Sequence, residues 1–216
     1  MFEVKRKVVI AQEVAQDIKN AIKKKIIKPG EKLNETQIAR SMGISRSPVR
    51  DALQQLGKEG VVVNIPYKGT FVNILGVKDI EDMYELRAVL ESYALEKVIS
   101  TNNKKFIKIL RLIVDEIEEA ISQKKFEILS KKDVEFHRKI CHFTNNKKLI
   151  EIWEGFQTQF EILITLESSF YERIQLLADE HEELLFLIKK GKIKEAQEKD
   201  RAHIIQALEF LKKSMK

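Results

Sequence analysis

Residues 33–60, LNETQIARSMGISRSPVRDALQQLGKEG, decide how the front of this chain folds. Asn34 stands where a helix N-cap belongs, with Gln37 three residues on, so a short helix is expected as far as Met42. Gly43 supplies a turn. Ser45 can cap a second helix, in which Val49, Ala52, Leu53 and Leu56 recur on one face before Glu59-Gly60 stops it. Two short helices around a glycine turn make a helix-turn-helix.

Upstream, Ala11, Val14, Ala15, Ile18 and Ile22 recur at helical spacing, and Pro29-Gly30 is expected to end that helix. Downstream, the β-branched runs 61–65 and 70–74 flank Pro66, Tyr67, Lys68 and Gly69 and predict a hairpin. A hairpin there is a wing, whose basic tip at Lys68 can reach the minor groove or a phosphate. All three prolines and six of the eight glycines fall at or before Gly76, so the architecture changes at that point. Beyond it, stripes such as Phe106, Ile109, Leu110, Ile113, Ile117 and Ile121 predict amphipathic helices. Breaks at Asn102-Asn103, 123–125, Asn145-Asn146, Ser168-Ser169 and Gly191-Lys192 leave about six of them, in an antiparallel bundle. The expected fold is therefore mainly α: a winged helix-turn-helix DNA-binding domain with a small β-hairpin wing over 1–75, then an all-helical effector-binding and dimerisation domain over 76–216.

The 216 residues suit one large or two small domains, and 44% hydrophobic with 33% charged residues excludes disorder. No stretch approaches the roughly 20 apolar residues of a membrane span, and MFEVKRKVV lacks the apolar core of a signal peptide, so a cytoplasmic protein without membrane contact is expected. The lone Cys141 forms no internal disulfide, which fits a reducing compartment. The net charge of +6 is unevenly spread: residues 1–75 hold 14 Lys and Arg against 7 Asp and Glu, a balance of +7, and the remainder sums to −1. Such a front segment reads as a footprint for a polyanion, nucleic acid before membrane; the alternative is a solvated basic surface.

Arg46 and Arg50 lie four apart at the start of the second short helix and are candidates for reading guanine; hydroxyls and helix-start amides there suit phosphate oxygens. Further on, Asp133 and His137, also four apart, point from one helix face and make half a metal site. His181 and His203, on separate predicted helices, could complete it with one oxygen and three nitrogens in all. That set suits zinc, nickel or cobalt and leaves coordination positions open; the alternative is surface or satisfied core histidines. Cys141 reads as a small buried apolar residue and His142 as a helix-end residue, neither a ligand. Trp153, Phe156 and Phe160 read as bundle core or dimer packing. The string His181-Glu182-Glu183-Leu184-Leu185 lacks the second histidine of a zincin helix, which leaves a metalloenzyme poorly supported.

The run from Leu33 to Val62, with YKGTFVNIL at 67–75, resembles the DNA-binding domain of the GntR transcription regulators, and ILGVKDIEDMYELRAVLESYALE at 74–96 resembles the linker and first helix of their FadR-type branch. The resemblance implies that Ser45, Arg46, Ser47 and Arg50 contact DNA, with Lys68 and Gly69 at the wing tip. Thr36 departs from it, standing where many relatives carry arginine or another long polar residue. The FadR-type regulators that bind metal carry an aspartate, a histidine four residues on and two later histidines, and Asp133, His137, His181 and His203 match all four. This implies an FCD-type domain whose metal, zinc or nickel, holds a carboxylate effector or stabilises the fold. Arg87 is then an effector contact or one half of an intradomain ion pair. The expected mechanism is a homodimer on a palindromic operator, released by a small carboxylate. Its rivals are a metal-dependent enzyme and a DNA-binding protein with a purely structural metal.

Overall fold

A computed structural model of the chain describes residues 3–166 and 170–214, with side chains over 9–163 and 176–213. The chain divides into two compact units, Met1–Ile74 and Leu75–Lys216.

The first unit runs α1 (Glu3–Lys23), β1 (Lys32–Leu33), α2 (Glu35–Ser41), α3 (Arg46–Lys58), β2 (Val62–Ile65) and β3 (Gly69–Val72). The stripe of Ala11, Val14, Ala15, Ile18 and Ile22 is buried, as are Val49, Ala52, Leu53 and Leu56, because α1 packs on α3. Asn34 caps α2 as expected, its Oδ1 accepting from the backbone N of Thr36 at 2.9 Å and of Gln37 at 3.2 Å. Gly43 and Gly60 both take φ +66°, and past them Ile44 N donates to Ala39 O and Val61 N to Leu56 O. This is the Schellman closure that a left-handed residue permits.

Three local expectations change. The first helix ends at Lys23 rather than at Pro29-Gly30, because Lys25 adopts φ 58° and reverses the chain; the Gly30 N–H instead donates to Val72 O at 3.0 Å. The wing is not a bare hairpin, since β1 pairs antiparallel with β3 and the sheet order is β1-β3-β2. Two residues are too few to show alternation in sequence. Ser45 sits at the N-cap of α3 but makes no side-chain capping bond. A capping hydroxyl takes the second or third helical N–H, and the third helical residue here is Pro48, which has none.

The second unit holds α4 (Val77–Ser100), α5 (Lys104–Ser122), α6 (Phe126–Phe143), α7 (Lys147–Leu166), α8 (Phe170–Lys189) and α9 (Ile193–Ser214). The breaks fall where turn residues reach positive φ: Asn102 (44°), Lys124 (54°), Asn145 (55°) and Gly191 (73°). The expected break at Ser168-Ser169 lies outside the described residues. Helix α4 packs against α9, α6, α7 and α8, and α5 against α6 and α8. Phe106, Leu110, Ile113 and Ile117 are buried, Ile109 and Ile121 half-buried, and Trp153 and Phe160 lie fully inside the core. Among the described residues no helix is long and apolar enough to cross a membrane.

Leu56 sits at the α1–α3 contact with no exposure, whereas Leu112 on α5 is 55% exposed. Denaturant unfolding should find Leu56→Ala destabilising by about 2–5 kcal/mol and Leu112→Ala within about 0.5 kcal/mol of the parent.

Candidate metal centre and nucleic-acid interface

Asp133 and His137 point inward from one face of α6; His181 arrives on α8 and His203 on α9, and all four are buried. One ligand atom from each lies within 4.8 Å of the others. The Nε2 atoms of His137 and His203 are 3.2 Å apart, and Asp133 Oδ1 is 3.4 Å from His181 Nε2 and 3.8 Å from His203 Nε2. Ligands held about 2.0–2.1 Å from one transition ion stand about 3.0–3.4 Å from each other, so the cluster has the required size.

What suits three imidazoles to be ligands is the grip on their other nitrogens. His137 Nδ1 lies 2.6 Å from Glu91 Oε2, His203 Nδ1 2.8 Å from Glu180 Oε2, and His181 Nδ1 2.7 Å from Leu177 O. Each partner is an acceptor, so each Nδ1 carries a hydrogen and each Nε2 faces the same point. His137 Nε2 and His203 Nε2 stand at hydrogen-bond distance, so either a proton or a metal cation lies between them. Asp133 Oδ1 and His181 Nε2 also have no hydrogen-bond partner among the described residues, though both are buried. A buried acceptor left unpaired costs about 1–3 kcal/mol, and a metal ion removes that cost. The donor set fits a borderline divalent ion.

Electrostatics agree with the geometry. Burial opposes charge on Glu91, but the Arg87 guanidinium and the His137 ring outweigh it and hold this carboxyl far below its usual range. Burial lowers His137, yet Glu91 overcomes it and the ring is raised to about 9. Burial and the neighbouring His203 push His181 down to about 3, leaving it a neutral base. Burial works against ionised Asp133, but the three histidines outweigh it and lower its pKa.

Arg87 is the cation of a buried ion pair, its Nε 2.7 Å from Glu91 Oε1, and its guanidinium lies 5.0 Å from the Phe160 ring centroid. Its Nη2 has no hydrogen-bond partner among the described residues. Trp153 Nε1 donates to the same Glu91 oxygen at 2.8 Å, so this tryptophan is core with a polar duty. Cys141 is buried, and burial together with Glu91 raises its thiol well above the usual range. His142 stays outside the cluster, 2.8 Å from Glu154. Glu182, the tempting base of the zincin-like string, is engaged by Arg111 and half exposed.

Sequence reasoning missed Glu180 and Asp200. Asp200 sits one turn before His203, fully buried, with Oδ1 3.4 Å from His137 Nδ1 and neither oxygen hydrogen-bonded among the described residues. Burial and the nearby Glu91 raise its pKa. Its spacing of three from His203 was the available signal.

In the first unit Ser45, Arg46 and Arg50 are exposed and Ser47 half-buried at the start of α3, while Lys68 is exposed and Gly69 half-buried at the wing. Arg46 Nη2 lies 3.4 Å from Glu35 Oε2 across the helix-turn-helix. A cleft between α3 and the wing is lined by Arg50, Gln54, Lys58, Asn64 and Thr70.

A winged helix-turn-helix with an exposed basic helix start, followed in the chain by a helical unit with a buried histidine-carboxylate cluster, defines a DNA-binding regulator with a candidate metal centre. The chain belongs to the GntR family of bacterial regulators: residues 10–72 match the family described as bacterial regulatory proteins, gntR family, and residues 82–206 match the FCD domain. It is 31% identical over 199 residues to the HTH-type transcriptional regulator YdhC of Bacillus subtilis, covering 89% of this chain and 88% of that one. It is 29% identical to the gluconate operon transcriptional repressor of the same organism, over 90% of this chain and 79% of the relative. Among solved structures, a GntR regulator from Rhodococcus sp. RHA1 superposes with a TM-score of 0.79 at 19% identity, covering 93% of this chain and 96% of that one. E. coli McbR/YncC does so at 0.78 and 20%, over 96% and 99% of the two chains. These relatives are transcription regulators, and the chain is a DNA-binding transcription regulator rather than an enzyme.

Glu91 joins Arg87, Trp153 and His137, so Glu91→Ala leaves a buried cation unpaired. Denaturant unfolding in the presence of a chelator should show a loss of about 3–5 kcal/mol, the cost of breaking a buried pair from one side.

Proposed function

We propose that this chain is a repressor whose helical unit binds zinc or nickel through Asp133, His137, His181 and His203, and that a small carboxylate metabolite bound beside the ion releases the operator. The observation that carries this reading is the convergence of three Nε2 atoms, whose Nδ1 atoms are otherwise committed, with one buried carboxylate oxygen that has no hydrogen-bond partner among the described residues. When bound, the ion supplies open coordination positions for a carboxylate oxygen. Arg87, whose Nη2 has no hydrogen-bond partner among the described residues, is the donor assigned to that carboxylate, while Glu91 keeps the guanidinium in place. The relative named as a gluconate operon repressor supports the sign.

In the front unit, Arg46 and Arg50 are assigned to base edges, Ser45 and Ser47 to phosphates, and Lys68 and Gly69 to the minor groove or backbone at the wing. The failed cap supports the serine assignment, since the Ser45 hydroxyl is exposed and uncommitted to α3. A homodimer on a palindromic site is the assembly this reading requires. Leu86, Val89 and Tyr93 support it, forming an apolar stripe on α4 that is 40%, 59% and 44% exposed.

Elemental analysis of untagged protein tests the metal: about one zinc or nickel per chain is expected, lost in both His137→Ala and His181→Ala. Metal-free wild type after incubation with either ion would end the sensing mechanism and leave DNA binding untouched. With metal in place, the right carboxylate should weaken operator binding by about 5- to 150-fold, the usual range of allosteric coupling. Affinity indifferent to every carboxylate assigns the ion a structural role, and turnover of one revives the enzyme. Arg46→Ala or Arg50→Ala should each cost about 1–3 kcal/mol of operator binding and relax selectivity at one base pair; uniform weakening on all sequences demotes them to phosphate contacts.

A further inference from the structure

The wing turns on a residue that its own geometry disfavours. Lys68 N donates to Ile65 O at 3.0 Å and closes a turn over Ile65-Pro66-Tyr67-Lys68. Pro66 fixes a negative φ at the second position, which rules out the primed turns, and Tyr67 follows with φ 63°. This is a type II turn, whose third position calls for glycine or asparagine because a side chain crowds the backbone at positive φ. Pro-Gly would satisfy it without strain. Here the position holds tyrosine, a bulky aromatic, and its relative exposure is 109%, so solvent reaches the entire side chain.

Within the unit the ring returns nothing for this cost. Among the described residues it has no aromatic or cation partner, and its hydroxyl has no hydrogen bond. The nearby Phe71 lies 5.8 Å below Lys32 Nζ, so the neighbouring aromatic of the wing is engaged while Tyr67 is not. A residue held in a strained conformation without internal contacts has its use outside the fold. On the proposed function, on which this inference rests, the wing tip faces DNA, and the flanking exposed Lys68, with no carboxylate partner among the described ion pairs, presents a cation to the same partner. A flat ring also suits the minor groove, about 6 Å wide, where apolar side chains pack on sugar and base edges.

We propose that the Tyr67 ring is a minor-groove contact, adding an apolar component of operator binding beside the charged contact of Lys68. The rigid Pro66-Tyr67 turn holds the ring outward before DNA arrives, so little of its freedom is lost on binding.

The test uses full-length protein and a palindromic duplex enriched by the wild type from a random-sequence pool. Tyr67→Asn keeps a residue that tolerates positive φ and removes the ring; Tyr67→Phe keeps the ring and removes the hydroxyl. Tyr67→Phe should bind as the wild type does, and Tyr67→Asn about 5- to 30-fold more weakly. The dependence of affinity on salt should be the same for both, whereas Lys68→Ala lowers its slope by about 1. Without DNA, Tyr67→Asn should melt at or above the wild-type temperature, because its turn is less strained. Wild-type affinity in Tyr67→Asn would overturn the proposal, and so would equal losses in both variants, which place the contact on the hydroxyl. A weakened Tyr67→Asn that also melts lower would overturn it as well, by making the ring part of the wing's own stability.

Discussion

The carboxylate of Glu91 organises the interior of the helical unit. It takes the Arg87 Nε from its own helix, the Trp153 Nε1 from α7 and the His137 Nδ1 from α6, at 2.7, 2.8 and 2.6 Å. A carboxylate wholly removed from water is tolerable only when its lone pairs are taken, and one residue here uses both oxygens to join three helices. The same bonds decide the chemistry. By accepting from Nδ1, Glu91 fixes the His137 tautomer and leaves Nε2 as the ligand atom; by holding Arg87, it keeps a guanidinium inside an apolar core between Tyr84 and Phe160.

Around this hub the interior collects more negative than positive groups. Among the described residues, Glu91, Asp133, Asp200 and the mostly buried Glu180 face one buried arginine. Charges in a low-dielectric interior must be balanced, and the available means are protons or a bound cation. Glu91 raises His137 to about 9 against the effect of burial, the direction in which a proton on that ring offsets the carboxylates, and burial with Glu91 raises Asp200. A divalent ion at the three Nε2 atoms replaces a proton with a charge the histidines already face. Asp200 is the group with least support, and its presence makes the region around His137 Nδ1 more favourable to positive charge than Glu91 alone would.

The legible parts of this chain were those written as periods or as punctuation. Stripes in α1, α3 and α5, glycine turns at Gly43 and Gly60 and the asparagine break at Asn102-Asn103 all state their structure locally. The clustered candidate ligands were legible because histidine is scarce, four in the chain, and Asp133 and His137 share a helix face. Glu180 and Asp200 were not, because the chain holds 33 acidic residues, and any particular one is hidden among them until the bundle is packed. The second strand partner of the wing, β1, was too short to show alternation. Ser45 and Tyr67 failed as local rules for a different reason. Each satisfies a pattern nominally, a serine before a helix and a loop residue after proline, while the neighbouring prolines decide the outcome.

Those two failures occur on the same surface. Pro48 removes the amide that Ser45 would cap and leaves the hydroxyl exposed at the positive end of α3. Pro66 fixes the turn that forces Tyr67 to positive φ and full exposure. In each case proline lowers local stability or leaves it unimproved and directs a polar or aromatic side chain outward. Sequences are expected to break their local rules where function demands it. The prolines of α3 and the wing thus single out the surface proposed to bind DNA, and by a route independent of its arginines. Charge suits that surface to a polyanion, and the misplaced local chemistry marks the side chains proposed to meet it.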